Sequence, residues 1–302
     1  MIVTHISTNY PADSALTYHY IKRLGQKYPF LSSESMGKSV LGRDITVLRL
    51  GFGPRRVFFF GAHHALEWIT TLILLRFALD YCERKTRGGR FGEKSINEVF
   101  AETSAYVVPM VNPDGVDIVI NGAASAGDER QNVEKMLSGR DPAKVWQANA
   151  RGVDLNHNYN ARFDEGKRLE GEYGVTGPGP TRFGGPYYES EPETRAVCRF
   201  LRARRCELLL SLHTQGREIY SPGDSPESKA WLDELSRLSG YRAAVPEGIA
   251  ACRGLCDWFA LEFSRPAFTI EAGQGKNPLP LRDFDGIYAE VFPMLAAAVC
   301  GM

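Results

Sequence analysis

The chain has 302 residues, with 36 basic and 36 acidic side chains and a formal net charge of zero. Its 43% hydrophobic and 24% charged residues give the composition of a globular protein large enough for one sizeable core. The charge balance excludes the basic stripe with interleaved aromatics that marks nucleic-acid binders, and no run approaches the roughly 18 apolar residues of a membrane span.

The first eighteen residues lack a charged segment followed by an apolar one, the pattern of a secretory leader, so a cytoplasmic location is expected. Six cysteines, at 82, 198, 206, 252, 256 and 300, are too sparse for a disulfide scaffold. Cys252 and Cys256 do not have CxxC spacing and have no second pair to complete a metal site, so reduced thiols are expected.

In chain order, residues 13–28 read as an amphipathic helix with Asp13 or Ser14 as N-cap and Pro29 as the stop. Residues 31–50 read as a hairpin around a Gly-Arg-Asp turn. Residues 57–60 are a short apolar run, hence a buried strand; Gly61 breaks it, and an apolar helix starts at Trp68. Residues 84–90 are a basic loop. Residues 104–110 are a second buried strand running into Asn112-Pro113-Asp114-Gly115, a strong turn signal. Residues 121–141 read as a polar surface excursion, and 164–190, rich in Gly, Pro and Tyr, as a long ordered loop. A helix is expected over 191–204, with Ser190 as N-cap and Glu193 completing a capping box. A buried strand over 207–212 ends on His213. A helix over 226–239 has Ser225 as N-cap and Pro226 at its first position. A strand over 267–270 ends on Glu271, and a helix over 283–300 closes the chain. Strands alternate with helices, which predicts an α/β fold with a mostly parallel sheet in a single domain, residues 1–302.

Four polar groups therefore fall at the ends of three apolar strands: His64 and Glu67, His213, and Glu271. In α/β sheets the carboxyl ends of strands are where ligands sit. Two imidazoles and a carboxylate are a catalytic zinc set that leaves a fourth position for water, and a further carboxylate is then needed to move the proton. Glu271 fits that second role by position. His63 competes with His64, since by spacing it can also face Glu67. No HExxH helix, G-x-S-x-G elbow or phosphate-binding glycine loop is present in a suitable context.

Six segments in order carry a resemblance: GAHHALEWIT, VPMVNPDGVD, RGVDLNHN, ESEPET, SLHTQG and FTIEAG. Together they resemble the zinc carboxypeptidase family over residues 50–280. The resemblance implies a central mixed, mostly parallel eight-stranded sheet with helices on both faces. It implies one zinc ion held by His64, Glu67 and His213, with Glu271 as general base and then general acid. It also marks departures. The Asn-Arg pair by which digestive members grip a terminal carboxylate reads Asn156-His157 here, and a histidine is not a bidentate guanidinium. Trp146 is followed by Gln147, not by the oxyanion arginine, which leaves Arg151 as the substitute donor. The substrate tyrosine has no counterpart in residues 247–253. Asp257-Trp258 and Lys276-Asn277 are further cleft candidates. With LNHN, the chain looks like the bacterial branch that cuts the γ-D-glutamyl–diamino acid amide of cell-wall stem peptides; the alternative is a carboxypeptidase acting on ordinary peptide C-termini. A non-catalytic binding module is disfavoured because all four key residues stand. The expected partner is a peptide, not nucleic acid or membrane.

Overall fold

The computed structural model describes residues 5–301; residues 1–4, where the stretch read for a leader begins, and residue 302 lie outside it. One eight-stranded sheet organises the chain: β1 (Ser32–Lys38), β2 (Asp44–Leu50), β3 (Arg55–Phe60), β4 (Thr103–Val108), β5 (Leu208–His213), β6 (Glu218–Tyr220), β7 (Arg242–Ala244) and β8 (Ala267–Glu271). The spatial order is β1-β2-β4-β3-β5-β8-β6-β7. The central four, β4, β3, β5 and β8, run parallel; β1 and β2 are antiparallel on one flank, and β6 runs antiparallel to β8 on the other.

The central strands are buried on both faces, as parallel sheets require, and this is why they read as unbroken apolar runs. Successive residues divide between two cores. Val57 and Phe59 pack with α1 (Ser14–Lys27), α2 (Ile69–Arg87) and the closing helix Phe284–Cys300. Phe58 and Phe60 face the other way, against Ala196, Val197 and Phe200 of helix Pro192–Arg202 and Leu255 and Phe259 of helix Leu255–Phe263. The outer strand β1, SSESMGK, is polar and largely exposed, which protects that edge from pairing with another chain. No helix among the described residues is long and apolar enough to cross a membrane.

Asp13 is the N-cap of α1, its side chain accepting the Leu16 N–H at 2.8 Å. The hairpin, the two central strands and the helix capped by Ser225 also stand where expected. Five readings need correction. The stretch 84–90 read as a basic loop is helical at its start, because α2 runs to Arg87 and Gly88, at a left-handed φ of 71°, ends it. The Asn-Pro-Asp-Gly signal is the start of α3 (Pro113–Asn121): Asn112 accepts the Gly115 N–H at 2.9 Å and Pro113 occupies the first helical position. The polar excursion contains a helix, Arg130–Leu137. The long loop contains α4 (Phe163–Glu172). Ser190 does not cap α5 (Pro192–Arg202); its hydroxyl is drawn to Asn158 and Glu191, while Glu193 accepts the Val40 N–H. With Pro226–Ser239 as α6, the nine-residue α7 (Leu255–Phe263) was not foreseen: LCDWFALEF is apolar nearly all round and follows a glycine N-cap, so no amphipathic stripe announces it.

Candidate active site

The strand order sets the site. β3, β5 and β8 are adjacent and parallel, so their carboxyl ends open on the same edge, and Glu271 stands directly opposite His213 in the register. At the end of β3 the chain turns sharply. Gly61 has backbone and Thr70 on either side, and a Cβ there would come within 2.9 Å of the Pro109 carbonyl. The Thr70 hydroxyl accepts the Ala62 N–H and donates to the Glu67 carbonyl, tying the turn to the first turn of α2. Asn112, besides capping α3, donates from Nδ2 to the carbonyls of His63 and Ala148, each at 3.1 Å. The residues read as a turn thus weld the histidine segment to the strip that follows Trp146.

This geometry separates the two neighbouring histidines. His63 is fully buried with Nε2 2.9 Å from the Tyr159 hydroxyl, and burial together with the nearby His213 and His64 lowers its proton affinity well below the ordinary imidazole range. His64 instead joins Glu67 and His213 in a group whose ligand atoms all lie within 4.8 Å of one another. His213 Nδ1 is 3.0 Å from Glu67 Oε2, and its Nε2 is 3.2 Å from the Ser211 hydroxyl. Asn277 Nδ2 reaches Glu67 Oε1 at 3.4 Å.

A residue the sequence reading passed over anchors the first ligand. Asp154 is wholly buried, with Oδ1 2.9 Å from His64 Nδ1 and Oδ2 accepting the Arg182 N–H at 2.9 Å. Burial opposes charge on His64, but Asp154 and Glu67 outweigh it and raise the imidazole to about 10. Burial likewise disfavours the Asp154 carboxylate, yet His64 and His157 hold its pKa below the usual value. Buried carboxylates thus converge on two imidazoles, Asp154 on His64 and Glu67 on His213, an arrangement that favours positive charge between them. Oxygen and nitrogen donors from two histidines and one glutamate, with a carboxylate behind one histidine, fit zinc. Glu271 is outside the ligand group. Burial, then the charge of Glu67, push its pKa well above the normal carboxylate value, so it binds protons readily.

The site opens into a cleft of about 790 Å³, whose walls include His64, His213, Glu271, Asn156 and His157. Asn156 Oδ1 accepts the Leu255 N–H at 3.0 Å, so it also holds the start of α7. His157 is buried, 3.9 Å from Asp154 through Nε2, and burial lowers its pKa to about 4 despite that carboxylate; it is a neutral imidazole. Arg151 is not brought into this assembly. It is half exposed, its guanidinium leans towards Glu191 at 3.7 Å, and it is not part of the cleft wall. Of the remaining candidates, Asp257 lines the cleft, Trp258 is core, Asn277 backs Glu67 and Lys276 is exposed. In the segment 247–253, Ala250 and Ala251 line the cleft while Arg253 turns inwards. All six cysteines are free thiols.

Comparison with known proteins agrees with this geometry. The family profile described as zinc carboxypeptidase matches residues 17–280. A "Gamma-D-glutamyl-L-diamino acid endopeptidase 1" of Lysinibacillus sphaericus is 36% identical over 290 residues, which is 95% of this chain and 72% of that protein. Among solved structures, thrombin activatable fibrinolysis inhibitor superimposes with a TM-score of 0.73 at 20% identity, over 97% of this chain and 74% of that one. The carboxypeptidase A of Helicoverpa armigera does so with a TM-score of 0.71 at 18% identity, over 97% and 75% respectively. These two establish the fold. The profile match and the bacterial relative establish more: the chain belongs to the zinc carboxypeptidase family and is a zinc metallopeptidase.

Proposed function

We propose that the chain holds one zinc ion on His64, Glu67 and His213 and hydrolyses the amide between the γ-carboxyl of D-glutamate and a diamino acid in peptidoglycan stem peptides. The observation that carries the substrate class is the 36% identical relative, whose printed name specifies that bond and which aligns with 95% of this chain. The neutral, buried His157 supports it, because the cleft lacks there the guanidinium that would clamp an ordinary peptide's terminal carboxylate.

The chemistry a zinc ion supplies at such a donor set is polarisation of the scissile carbonyl and acidification of water. The rest falls to the chain. Asp154 fixes the His64 ring, and Ser211 fixes that of His213, so both imidazoles are presented in one orientation. Glu271, whose affinity for protons is raised, takes the proton of the attacking water on its carboxylate. As the carbon–oxygen bond forms and the carbon–nitrogen bond breaks, it returns that proton to the leaving nitrogen. The register pairing of Glu271 with His213 keeps that carboxylate beside the ligands without making it one.

The test is to incubate the zinc-loaded protein with L-Ala-γ-D-Glu-meso-diaminopimelate and identify products by mass. L-Ala-D-Glu and diaminopimelate are expected, lost with a chelator and reduced by about 10²–10⁴-fold in Glu271→Gln, while that variant still carries one metal per chain. Cleavage of ordinary peptides with the tripeptide left intact would overturn the reading.

A further inference from the structure

The stretch after Glu271, AGQGKNP, carries two glycines at positive φ, Gly273 at 71° and Gly275 at 138°, so the chain can fold back on itself there. It is tied to the turn that follows His213. The Gly273 carbonyl accepts the N–H groups of Gly216 at 2.9 Å and Arg217 at 3.0 Å, and the Gly275 N–H donates to Gln215 Oε1 at 3.2 Å. Leu279, fully buried, packs beside both glycines, and a Cβ on Gly273 would come within 2.8 Å of it. The loops that leave β5 and β8 are therefore one unit, and Asn277 belongs to it.

The Asn277 amide has a forced orientation. Its Oδ1 accepts the Thr214 hydroxyl at 2.6 Å, and its Nδ2 donates to the Thr214 carbonyl at 2.9 Å. The same Nδ2 reaches Glu67 Oε1, 3.4 Å away. A carbonyl and a carboxylate can only accept, so the nitrogen must be the atom that faces both. The two oxygens of Glu67 are thus unlike. Oε2 is 3.0 Å from His213 Nδ1, the ring nitrogen left once Ser211 has engaged Nε2, and so faces the other ligands. Oε1 meets the amide instead. Glu67 is only 3% exposed, and Asn277 is the one donor to Oε1 among the described residues.

We propose that Asn277 is a positioning residue that keeps Glu67 a one-oxygen ligand: its amide occupies Oε1, so that Oε2 alone serves the metal and a coordination place stays free for water and the scissile carbonyl. This rests on the metal set proposed above and goes beyond it by assigning the two oxygens and the residue that divides them. The physical reason is ligand count. A carboxylate can bind a cation through one oxygen or through both, and a catalytic zinc site keeps one position open. The Thr70 hydroxyl bonds to the Glu67 carbonyl and leaves the carboxylate free to turn, so its backbone anchor does not prevent two-oxygen binding. The amide, held from both sides by Thr214, does.

The experiment loads the parent, Asn277→Ala and Thr214→Val with cobalt(II) in place of zinc and compares visible spectra and metal content, with kinetics on L-Ala-γ-D-Glu-meso-diaminopimelate in the zinc forms. The visible bands of cobalt(II) weaken as ligands are added. Asn277→Ala should carry one metal per chain with weaker bands than the parent, and its zinc form should lose about 10–100-fold in kcat with KM unchanged. Thr214→Val removes a bond that holds the loop but leaves the Asn277 donor on Glu67, and should keep the parent spectrum. If Asn277→Ala leaves the spectrum unchanged, or Thr214→Val alters it as much, Asn277 merely braces the loop and the proposal fails. If Glu67→Ala matches the parent in cobalt affinity and spectrum, Glu67 is no ligand and the metal reading fails as well. If cobalt binds but the tripeptide stays intact, only the substrate reading fails, and the spectra still decide the role of Asn277.

Discussion

Glu170→Gln should destabilise the protein by about 3 kcal/mol, because its partner Arg253 has no exposed surface at all. The Arg253 guanidinium reaches Glu170 through Nη1, while Nε and Nη2 have no partner among the described residues. Glu170 also accepts the Gly184 N–H at 2.7 Å and Lys167 Nζ at 2.8 Å, and these donors with Arg253 outweigh burial and keep its pKa below the ordinary value. The guanidinium fills space that glycines leave for it: a Cβ on Gly166 or Gly184 would run into it. The Arg253 backbone is bonded to Ala161 and Tyr159. One ion pair therefore joins α4, the strand of loop at Gly184 and the segment bearing Ala250 and Ala251, two residues of the cleft wall. Removing one member of a buried pair typically costs 3–5 kcal/mol, since the other charge stays buried; a glutamine keeps an acceptor, which places the cost at the lower end. At about 2 °C per kcal/mol for a chain of this size, the melting temperature at neutral pH should fall by roughly 6 °C. Arg253→Met combined with Glu170→Gln should recover to within about 1 kcal/mol of the parent, because neither charge is then stranded. A fall of under about 2 °C in the single variant, or a double variant no better than the single, would show that the pair is solvated and the clamp unimportant.

Asp154→Asn should bind zinc about 10–100-fold more weakly, because the buried carboxylate behind His64 is lost while the three ligands remain; competition with a chromogenic chelator measures it, and unchanged affinity would remove Asp154 from the site. Glu193→Gln tests the electrostatics of the helix that precedes β5. Burial, then Asp114 and Glu191, raise the Glu193 carboxyl to about 8 from its ordinary 4.5. The fold therefore favours the protonated acid: that stabilisation is fully present below about pH 4.5 and is lost as pH rises through about 8. Urea unfolding of parent and variant should diverge across this window by up to about 1.4 kcal/mol per pH unit, in favour of the variant at high pH; parallel curves would mean that Glu193 ionises freely.

What the sequence disclosed was what local pattern can carry. The strands that end on His213 and Glu271 are short apolar runs halted by a polar residue, and that is all the site needs from them. The choice between His63 and His64 was not local. It depends on Tyr159, 96 residues away, accepting or donating at His63 Nε2, and on Asp154 lying behind His64. Asp154 had a signal of its own, an acid between Val153 and Leu155, both buried, but nothing in the spacing says which histidine it faces. Arg253 had none, since arginine is ordinarily a surface residue and only the glycines at 166 and 184 make room for it. Arg151 looked like an oxyanion donor because it precedes the GVDLN segment; Glu191, brought close by the fold, holds it outside the cleft. Ser190 failed as a cap for a similar reason, because Asn158 offers its hydroxyl a better-placed partner than the helix does.

The division of labour between elements bears on how such a site can change. His64, Glu67, His213 and Glu271 sit at the ends of three adjacent parallel strands, each buried on both faces, so a shift of any one would disturb both cores. Asp257, Arg162, Ala250 and Ala251 sit on a nine-residue helix and on loops that touch the sheet from one side. Substitutions there alter what the cleft accepts without moving a metal ligand. The buried Arg253–Glu170 pair lies behind that second set, at the joint between α4 and the segment before α7, and not behind the metal. If it is a clamp on the wall, Glu170→Gln should raise KM for the stem peptide more than it lowers kcat, and should leave metal affinity where it was. Equal losses in kcat and metal content would mean instead that wall and metal centre are mechanically one body, and that selectivity cannot be altered without altering the chemistry.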